Sequence, residues 1–201
     1  AVHGNGVGGW RTYVRSSTDD PEKIDWEEIS RRSKAGQMIL SCGPYLEVET
    51  ADGTQAGGLA RANGTIGLKI RVQCASWIDV DRIQVLVNGR QEKGLNFTRK
   101  SHPKFFSDGV VKFDRTIPVS LSADAHLIAV AYGENFDLKT GYGTSGQSVA
   151  KPCAYNNPIF VDLDGNGFSP SGDNLGFPLP SGRISVTQAK ELLTKAGLPT
   201  E

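Results

Sequence analysis

The segment Thr65-Ile66-Gly67-Leu68-Lys69-Ile70-Arg71-Val72-Gln73-Cys74 decides the fold class, because apolar side chains occupy every second position along it. Successive side chains of a β-strand point to opposite faces, so this alternation is typical of a strand that is buried on one face. The apolar positions are Ile66, Leu68, Ile70, Val72 and Cys74. The segment therefore predicts a half-buried strand.

Similar short apolar segments recur through residues 45–161, with turn signals roughly every 8 to 20 residues. The further strands are predicted at Tyr45–Glu49, Ile83–Gly89, Asn96–Thr98, Val110–Val119, His126–Tyr132 and Asn157–Val161. The Asn88-Gly89 pair is typical of a tight hairpin turn. About seven short strands over this length predict a mostly β fold, an immunoglobulin-like antiparallel β-sandwich.

Two short helices flank the predicted sandwich. The first is predicted over residues 25–35, with Asp25 as N-cap, Glu28 completing a capping box and Gly36 at the C-terminal end. The second is predicted from Ser185 to Ala196, where Ser185 and Gln188 make another capping box.

Between the last strand and the second helix lies Asp162-Leu163-Asp164-Gly165-Asn166-Gly167-Phe168-Ser169-Pro170-Ser171-Gly172-Asp173. Its oxygen groups follow the spacing of an EF-hand calcium loop, in which a tight turn directs several hard oxygen ligands to one point. The predicted ligands are the side chains of Asp162, Asp164, Asn166 and Asp173 and the backbone carbonyl of Phe168. The last ligand is an aspartate instead of the longer glutamate, and Pro170 offers no side-chain ligand. The alternative interpretation is a surface turn rich in Asp, Asn and Gly that binds no metal.

The composition excludes several function classes. Lys and Arg total 22, as do Asp and Glu, so the net charge is zero and neither nucleic acid nor a membrane surface is an expected partner. No apolar run is long enough to span a membrane, and no targeting segment is visible, so the sequence predicts no cellular location. The three cysteines are far apart and include no CxxC pair, which predicts small buried side chains and not a disulfide framework.

Catalytic motifs are absent from the sequence. His3, His102 and His126 stand alone, although Asp124 lies two residues before His126 and the pair could bind a metal. No GxSxG motif occurs, and the glycine run Gly4–Gly9 resembles GxGxxG without the strand that precedes a nucleotide site. We therefore predict no catalytic residue in this chain.

Three stretches together resemble the C-terminal part of bacterial CehA/McbA-type metallohydrolases of the PHP (polymerase and histidinol phosphatase) superfamily. They are Gly9–Val14 with Ser16–Pro21, Met38–Leu46 and Asn157–Asp173. The resemblance implies that residues 1–44 are the tail of a preceding catalytic domain, residues 45–161 an accessory β-sandwich, residues 162–180 the calcium-type loop and residues 181–201 a C-terminal helix. It also implies that transition metals belong to the preceding domain, since no metal-ligand motif of the superfamily can be matched to this chain.

The expected function is therefore that of a non-catalytic accessory module with a cation-binding loop, serving structural support or interaction. Its expected partners are its own catalytic domain or a second copy. One alternative is a self-contained metal-dependent hydrolase that uses Asp162, Asp164 and Asp173 with His3 or His126. Another is a carbohydrate-binding β-sandwich in which Trp10, Trp77 and Tyr142 stack on sugars, although nothing in the sequence brings these three side chains together.

Overall fold

The computed structural model describes residues 9–169 and 183–195. Strands make up 39% of the described residues and helices 17%, and the strands form two sheets, so the predicted mostly β sandwich is confirmed. The chain divides into two units, Ala1–Ser169 and Pro170–Glu201, which are described separately.

The first unit contains eleven strands among its described residues. They are β1 (Arg11–Val14), β2 (Met38–Ser41), β3 (Tyr45–Thr50), β4 (Leu59–Arg61), β5 (Thr65–Gln73), β6 (Arg82–Val87), β7 (Arg90–Thr98), β8 (Val111–Ser120), β9 (Ala125–Tyr132), β10 (Cys153–Asn156) and β11 (Ile159–Asp162). Its helices are α1 (Trp26–Lys34) and α2 (Lys139–Tyr142), with short 3₁₀ turns at Pro21–Lys23 and Pro103–Phe105.

The small sheet consists of β3, β5 and β8, in that order. Strand β5 is its centre and pairs antiparallel with both neighbours. Its predicted apolar side chains Ile66, Leu68, Ile70 and Val72 are all buried, which confirms the alternation.

The large sheet contains the other eight strands. Strand β9 lies at its centre, with β6 along one edge and both β10 and β11 along the other. Strand β10 continues through β2 to β1, while β11 pairs with β4 in the one parallel pairing among the described strands. The hairpin from β6 to β7 turns at Asn88 and Gly89, both with positive φ, as the Asn-Gly pair predicts.

The side chain of Asn156 supplies a hydrogen-bond partner to β9 where β10 ends and β11 begins. Asn156 is 1% exposed, and its Oδ1 accepts a hydrogen bond from the backbone N–H of Ala129 at 2.7 Å. Its Nδ2 donates to the carbonyl oxygen of Asn157 at 2.6 Å. The amide of Ala129 therefore keeps a partner at a point where the strand ladder is interrupted.

The apolar core lies between the two sheets. The largest side chains that are fully buried are Phe113, Leu46, Leu68, Ile70, Ile83, Leu127, Leu138, Ile159, Val72, Val80, Val85 and Val119. They come from both sheets, so each sheet buries one face against the other.

Helix α1 confirms the predicted N-cap but not the predicted capping box. Asp25 accepts from the backbone N–H of Glu27 at 2.9 Å. Glu28 instead accepts from the Ser17 hydroxyl at 2.8 Å and pairs with Arg32 at 2.8 Å. These hydrogen bonds, from Ser17 first and then Arg32, hold the pKa of Glu28 below its ordinary value. The predicted box is wrong because the buried Glu28 carboxylate bonds to Ser17, outside the helix, and to Arg32, one turn further along it.

The segment before residue 45 takes part in the large sheet. Strand β2 pairs with β10 and β1 pairs with β2, so the described part of residues 1–44 contributes two strands to the sandwich. The domain boundary predicted at residue 44 did not anticipate this strand pairing.

The second unit contains α3 (Val186–Lys195) among its described residues. The predicted capping box is confirmed, because Ser185 and Gln188 exchange hydrogen bonds at 2.9 Å and 3.2 Å. No helix among the described residues is long and apolar enough to cross a membrane.

Candidate metal centre

Asp162 ends strand β11 and begins the candidate loop. Its side chain is 0% exposed. One carboxylate oxygen, Oδ1, accepts from the backbone N–H of Gly165 at 2.7 Å, and Oδ2 accepts from that of Gly167 at 3.0 Å. The carboxylate therefore directs the chain to fold back over it in a tight turn.

The two glycines permit that turn. Gly165 has a φ of 79° and Gly167 a φ of 101°. These values lie in the left-handed region, which side chains with a Cβ disfavour. The glycine that the calcium-loop spacing requires at Gly167 is thus used as predicted for a sharp turn.

Asp164 and Asn166 lie on the exposed side of the loop. Asp164 Oδ1 accepts from the backbone N–H of Asn166 at 3.1 Å, and its Oδ2 accepts from the Asn166 side-chain amide at 2.6 Å. Both residues thus stand together, as the predicted ligand spacing requires.

A third carboxylate reaches the loop from the turn between β8 and β9. Asp124 is 9% exposed, and its Oδ1 accepts from the backbone N–H of Leu163 at 2.9 Å. Its Oδ2 accepts from the N–H of Ser169 at 2.8 Å. Asp124 therefore holds both ends of the loop, although it lies 39 positions before Leu163 in the chain.

Asp124, Asp162 and Asp164 form a cluster in which one oxygen of each lies within 4.8 Å of the others. The nearest cation is Arg61, whose Nε lies 3.9 Å from Asp162 Oδ2 and whose side chain is 77% exposed. Three carboxylates so close together repel one another, and a divalent cation would relieve that repulsion. Hard carboxylate oxygens favour Ca²⁺ or Mg²⁺ over softer metals.

The protonation state of Asp162 suits such a cation. Burial alone would raise its pKa, but the hydrogen bonds from Gly165 and Gly167, together with the charge of Arg61, hold the pKa below its ordinary value. Asp162 is therefore an anion at neutral pH.

Of the other two predicted ligands, Phe168 lies in the described part of the loop and Asp173 does not. The ring of Phe168 packs edge-on against Phe160 at 4.9 Å between centroids, which anchors the loop to the sheet. Asp173 lies outside the described residues, as does His3. Sequence reasoning paired Asp124 with His126, but Asp124 contacts the loop instead, and its position beside Asp162 had no signal in the local sequence.

The described residues bring no histidine into the cluster. His126 lies in β9, where its backbone N–H donates to Asn88 Oδ1 at 2.9 Å. His102 packs against Phe97 and Phe105 and contacts the Ser101 hydroxyl at 2.8 Å. The cluster therefore contains aspartates alone among these residues, with no base beside it.

The aromatic side chains considered for sugar binding converge on one segment. Trp77 is 40% exposed, and its ring lies so close to Gly141 that an added Cβ would meet it at 2.4 Å. The hydroxyl of Tyr142 donates to the carbonyl oxygen of Gly9 at 2.6 Å, next to Trp10, which is 54% exposed. Two neighbouring residues of α2 therefore contact both regions: Gly141 lies beside the Trp77 ring, and Tyr142 bonds to the residue before Trp10. The sequence did not reveal this arrangement.

A groove beside β1, β2 and β3 holds paired charges instead of a catalytic arrangement. Tyr13 and Tyr45 meet edge-on there at 5.2 Å between centroids. Lys69 pairs with Glu49 at 2.9 Å on the same surface. Arg71 lies 3.7 Å from Glu47, and Arg15 donates to the side-chain oxygen of Gln55, so most charges of this groove are engaged by partners within it.

Comparisons of the chain with family models, with curated proteins and with solved structures found no match in any of the three.

Proposed function

We propose that this chain is a non-catalytic β-sandwich module whose 162–169 loop binds a hard divalent cation, Ca²⁺ first, with Asp124 as an additional ligand. The observation that carries the proposal is the convergence of Asp124, Asp162 and Asp164 within 4.8 Å. The cation would neutralise this cluster and join the end of β11 to the turn between β8 and β9. Its role is structural, since no histidine or cysteine joins the three aspartates of this cluster among the described residues.

The finer fold assignment belongs to the same proposal. In an immunoglobulin-like sandwich of seven strands, the first, second, fourth and fifth strands share one sheet, and the third, sixth and seventh share the other. Counted from β3 with β4 left out, the small sheet holds the first, second and fifth strands, and the large sheet holds the third, fourth, sixth and seventh, which are β6, β7, β9 and β10. This order supports an immunoglobulin-like module whose fourth strand lies in the large sheet and which is extended by β1, β2 and β4.

The parent protein is proposed to be a PHP-type metal-dependent hydrolase. Support comes from the three sequence stretches that resemble that superfamily and from the sandwich that the resemblance implies. Partners on this proposal are the catalytic domain of the same protein or a second copy of the chain.

The test is the thermal midpoint of the chain in Ca²⁺, in Mg²⁺ and in chelator. A ligand at a hundred times its dissociation constant stabilises the fold by about 2.7 kcal/mol. For a chain of this size that corresponds to a rise of about 5–11 °C. Asp164→Ala should abolish the rise and leave the midpoint in chelator unchanged or higher, because Asp164 is exposed, bonds to Asn166 and adds a repelling charge to the cluster. An unchanged midpoint in Ca²⁺ would establish the metal-free turn instead.

The hydrolase alternative is tested by activity toward phosphoesters in Mn²⁺ or Zn²⁺. Turnover that disappears in both Asp162→Ala and Asp164→Ala would overturn the non-catalytic proposal. Turnover that survives both substitutions would be assigned to a contaminant and would leave the proposal standing.

Carbohydrate binding is a second candidate, favoured by the position of α2 between Trp77 and the Gly9 carbonyl. Exposed tryptophan rings present flat apolar faces on which sugar rings can stack. Retention of the chain on insoluble polysaccharides, lost in Trp10→Ala and Trp77→Ala, would support it. Equal elution of all three proteins would reject it.

A further inference from the structure

Cys42 and Cys153 lie opposite each other on neighbouring strands. The register of β2 and β10 pairs Ser41 with Ala154, so the next antiparallel pair is Cys42 with Cys153. The backbone N–H of Cys42 donates to the carbonyl oxygen of Cys153 at 2.9 Å, which extends the ladder to these two residues. Side chains of directly opposed residues lie on the same face of a sheet.

The thiol of Cys42 points across the ladder. Its Sγ lies 3.2 Å from the carbonyl oxygen of Lys151 and 3.5 Å from that of Cys153. Directly opposed, hydrogen-bonded residues have Cα atoms about 5.5 Å apart. A disulfide requires a Cα separation of about 4.4–6.8 Å, so the backbone already meets this requirement.

The two cysteines differ in accessibility. Cys42 is 0% exposed, while Cys153 is half-buried. Burial, and to a smaller extent the nearby thiol of Cys42, raises the pKa of Cys153 to about 11. Burial also raises the pKa of Cys42, so both are thiols at neutral pH and react slowly. Cys153 is the thiol that a reagent in solution reaches first.

We propose that Cys42 and Cys153 form a site of reversible oxidation, closing a cross-strand disulfide between β2 and β10 when a low-molecular-weight disulfide is present. The thiolate of Cys153 attacks one sulfur of oxidised glutathione, forms a mixed disulfide and releases one glutathione. The thiolate of Cys42 then attacks Cys153 Sγ and displaces the second glutathione. Two protein thiols are oxidised, one glutathione disulfide is reduced to two thiols, and the two protons pass to the departing glutathiones.

The bond would join segments that are far apart in the chain. Cys42 and Cys153 are 111 positions apart, and the disulfide would fasten β2 directly to β10. Strand β1 joins the large sheet by pairing with β2, and helix α1 contacts β1, so oxidation would fasten the strand that holds the N-terminal part of the sandwich. Long closed loops restrict the unfolded chain most, so the oxidised protein should unfold at a higher temperature.

The third cysteine provides an internal control. Cys74 is 3% exposed and donates its backbone N–H to Val110 at the end of the small sheet. Burial raises its pKa to about 12, with Asp79 adding to the effect. It has no cysteine opposite it and should remain a thiol throughout.

The experiment treats the reduced full chain with oxidised glutathione, alkylates the remaining thiols in denaturant and measures the intact mass. The folded chain should lose two hydrogens, take up one alkyl group on Cys74 and yield a crosslinked peptide that contains Cys42 and Cys153. Cys74→Ser should oxidise in the same way. Cys42→Ala should stop at a glutathione adduct on Cys153, and Cys153→Ser should form no crosslink within the chain.

Three results would overturn the proposal. The first is three alkylated cysteines in the folded chain once its mass no longer changes with time of incubation. The second is a stable glutathione adduct on Cys153 in the unsubstituted protein. The third is a crosslink that contains Cys74. Since Cys153 is half-buried, Cys153→Ser keeps the test decisive even if Cys42→Ala does not fold.

Discussion

The substitution Asp124→Ala tests two roles of this residue, its hydrogen bonds to the loop and its contribution to cation binding. The Asp124 carboxylate accepts two backbone hydrogen bonds, from Leu163 at 2.9 Å and from Ser169 at 2.8 Å. Hydrogen bonds to a charged group contribute about 1.5–3 kcal/mol each, so their loss costs about 4 kcal/mol. Removal of the Asp124 charge also removes two repulsive pairs at about 4.8 Å. At the water-like dielectric constant of about 80 that suits a cluster with an exposed member, these pairs amount to about 2 kcal/mol together.

The expected net cost of Asp124→Ala in chelator is therefore about 2 kcal/mol, or about 4–8 °C in the thermal midpoint. In Ca²⁺ at a hundred times its dissociation constant, the unsubstituted chain gains about 2.7 kcal/mol that the variant lacks. The cost should then rise to about 5 kcal/mol.

The assay is urea unfolding followed by tryptophan fluorescence, in chelator and in Ca²⁺, with Asp164→Ala as the matched control. Asp164 is exposed and bonds to Asn166, and its removal also relieves repulsion within the cluster, so its substitution should cost less than about 0.5 kcal/mol in chelator or stabilise the chain. A chelator cost below about 0.5 kcal/mol for Asp124→Ala would refute the fastening argument. Equal costs in both buffers would refute a ligand role for Asp124.

Three further predictions concern the scaffold. Asn156→Ala should cost about 3 kcal/mol in urea unfolding, because it leaves the buried amide of Ala129 without an acceptor. Gly57→Ala should destabilise the chain more than Gly53→Ala in the same assay. Both glycines have positive φ, but an added Cβ at Gly57 would lie 2.1 Å from the carbonyl oxygen at the C-cap of α1, whereas Gly53 faces open space. The lowered pKa of Glu28 should make stability decrease as pH falls from about 5 toward 3, since this carboxylate stabilises the fold above its unfolded pKa and loses that effect as pH falls through its folded pKa.

Each of these predictions has a matched comparison. Asn156→Leu fills a similar volume without an acceptor and should cost about as much as the alanine variant, and a cost below about 1 kcal/mol would show that the amide of Ala129 finds another partner. Equal midpoints for the two glycine variants would mean that the chain around Gly57 moves aside easily. Glu28→Gln should flatten part of the acid slope, and an unchanged slope would assign it to other carboxylates.

The elements with a strong local pattern were predicted from the sequence, and the short strands β4 and β10 were not. Strand β5 was found because its alternation runs through nine residues, and α1 because Asp25 marks its start. Strands β4 and β10 have three and four residues and no long alternation. They are extended because β11 and β9 supply hydrogen-bond partners, and such partners are not encoded in the segment itself.

The same distinction applies to the candidate site. The spacing of Asp162, Asp164 and Gly167 predicted a carboxylate turn, which the structure forms with hydrogen bonds to Gly165 and Gly167. Asp124 was considered only with its sequence neighbour His126. Its role depends on the pairing of β9 with β11, which brings the start of one strand beside the end of the other.

By itself, the sequence determined the mostly β class, the caps of both long helices and the tight turn after β11. These features depend on interactions within a few residues, such as side-chain alternation, Asx-type caps and glycine at positive φ. Only the tertiary structure decided that Asp124 joins the aspartate cluster and that Cys42 faces Cys153. Those neighbours are set by the register of distant strands, which the burial of both sheets in a common core selects for the whole chain at once.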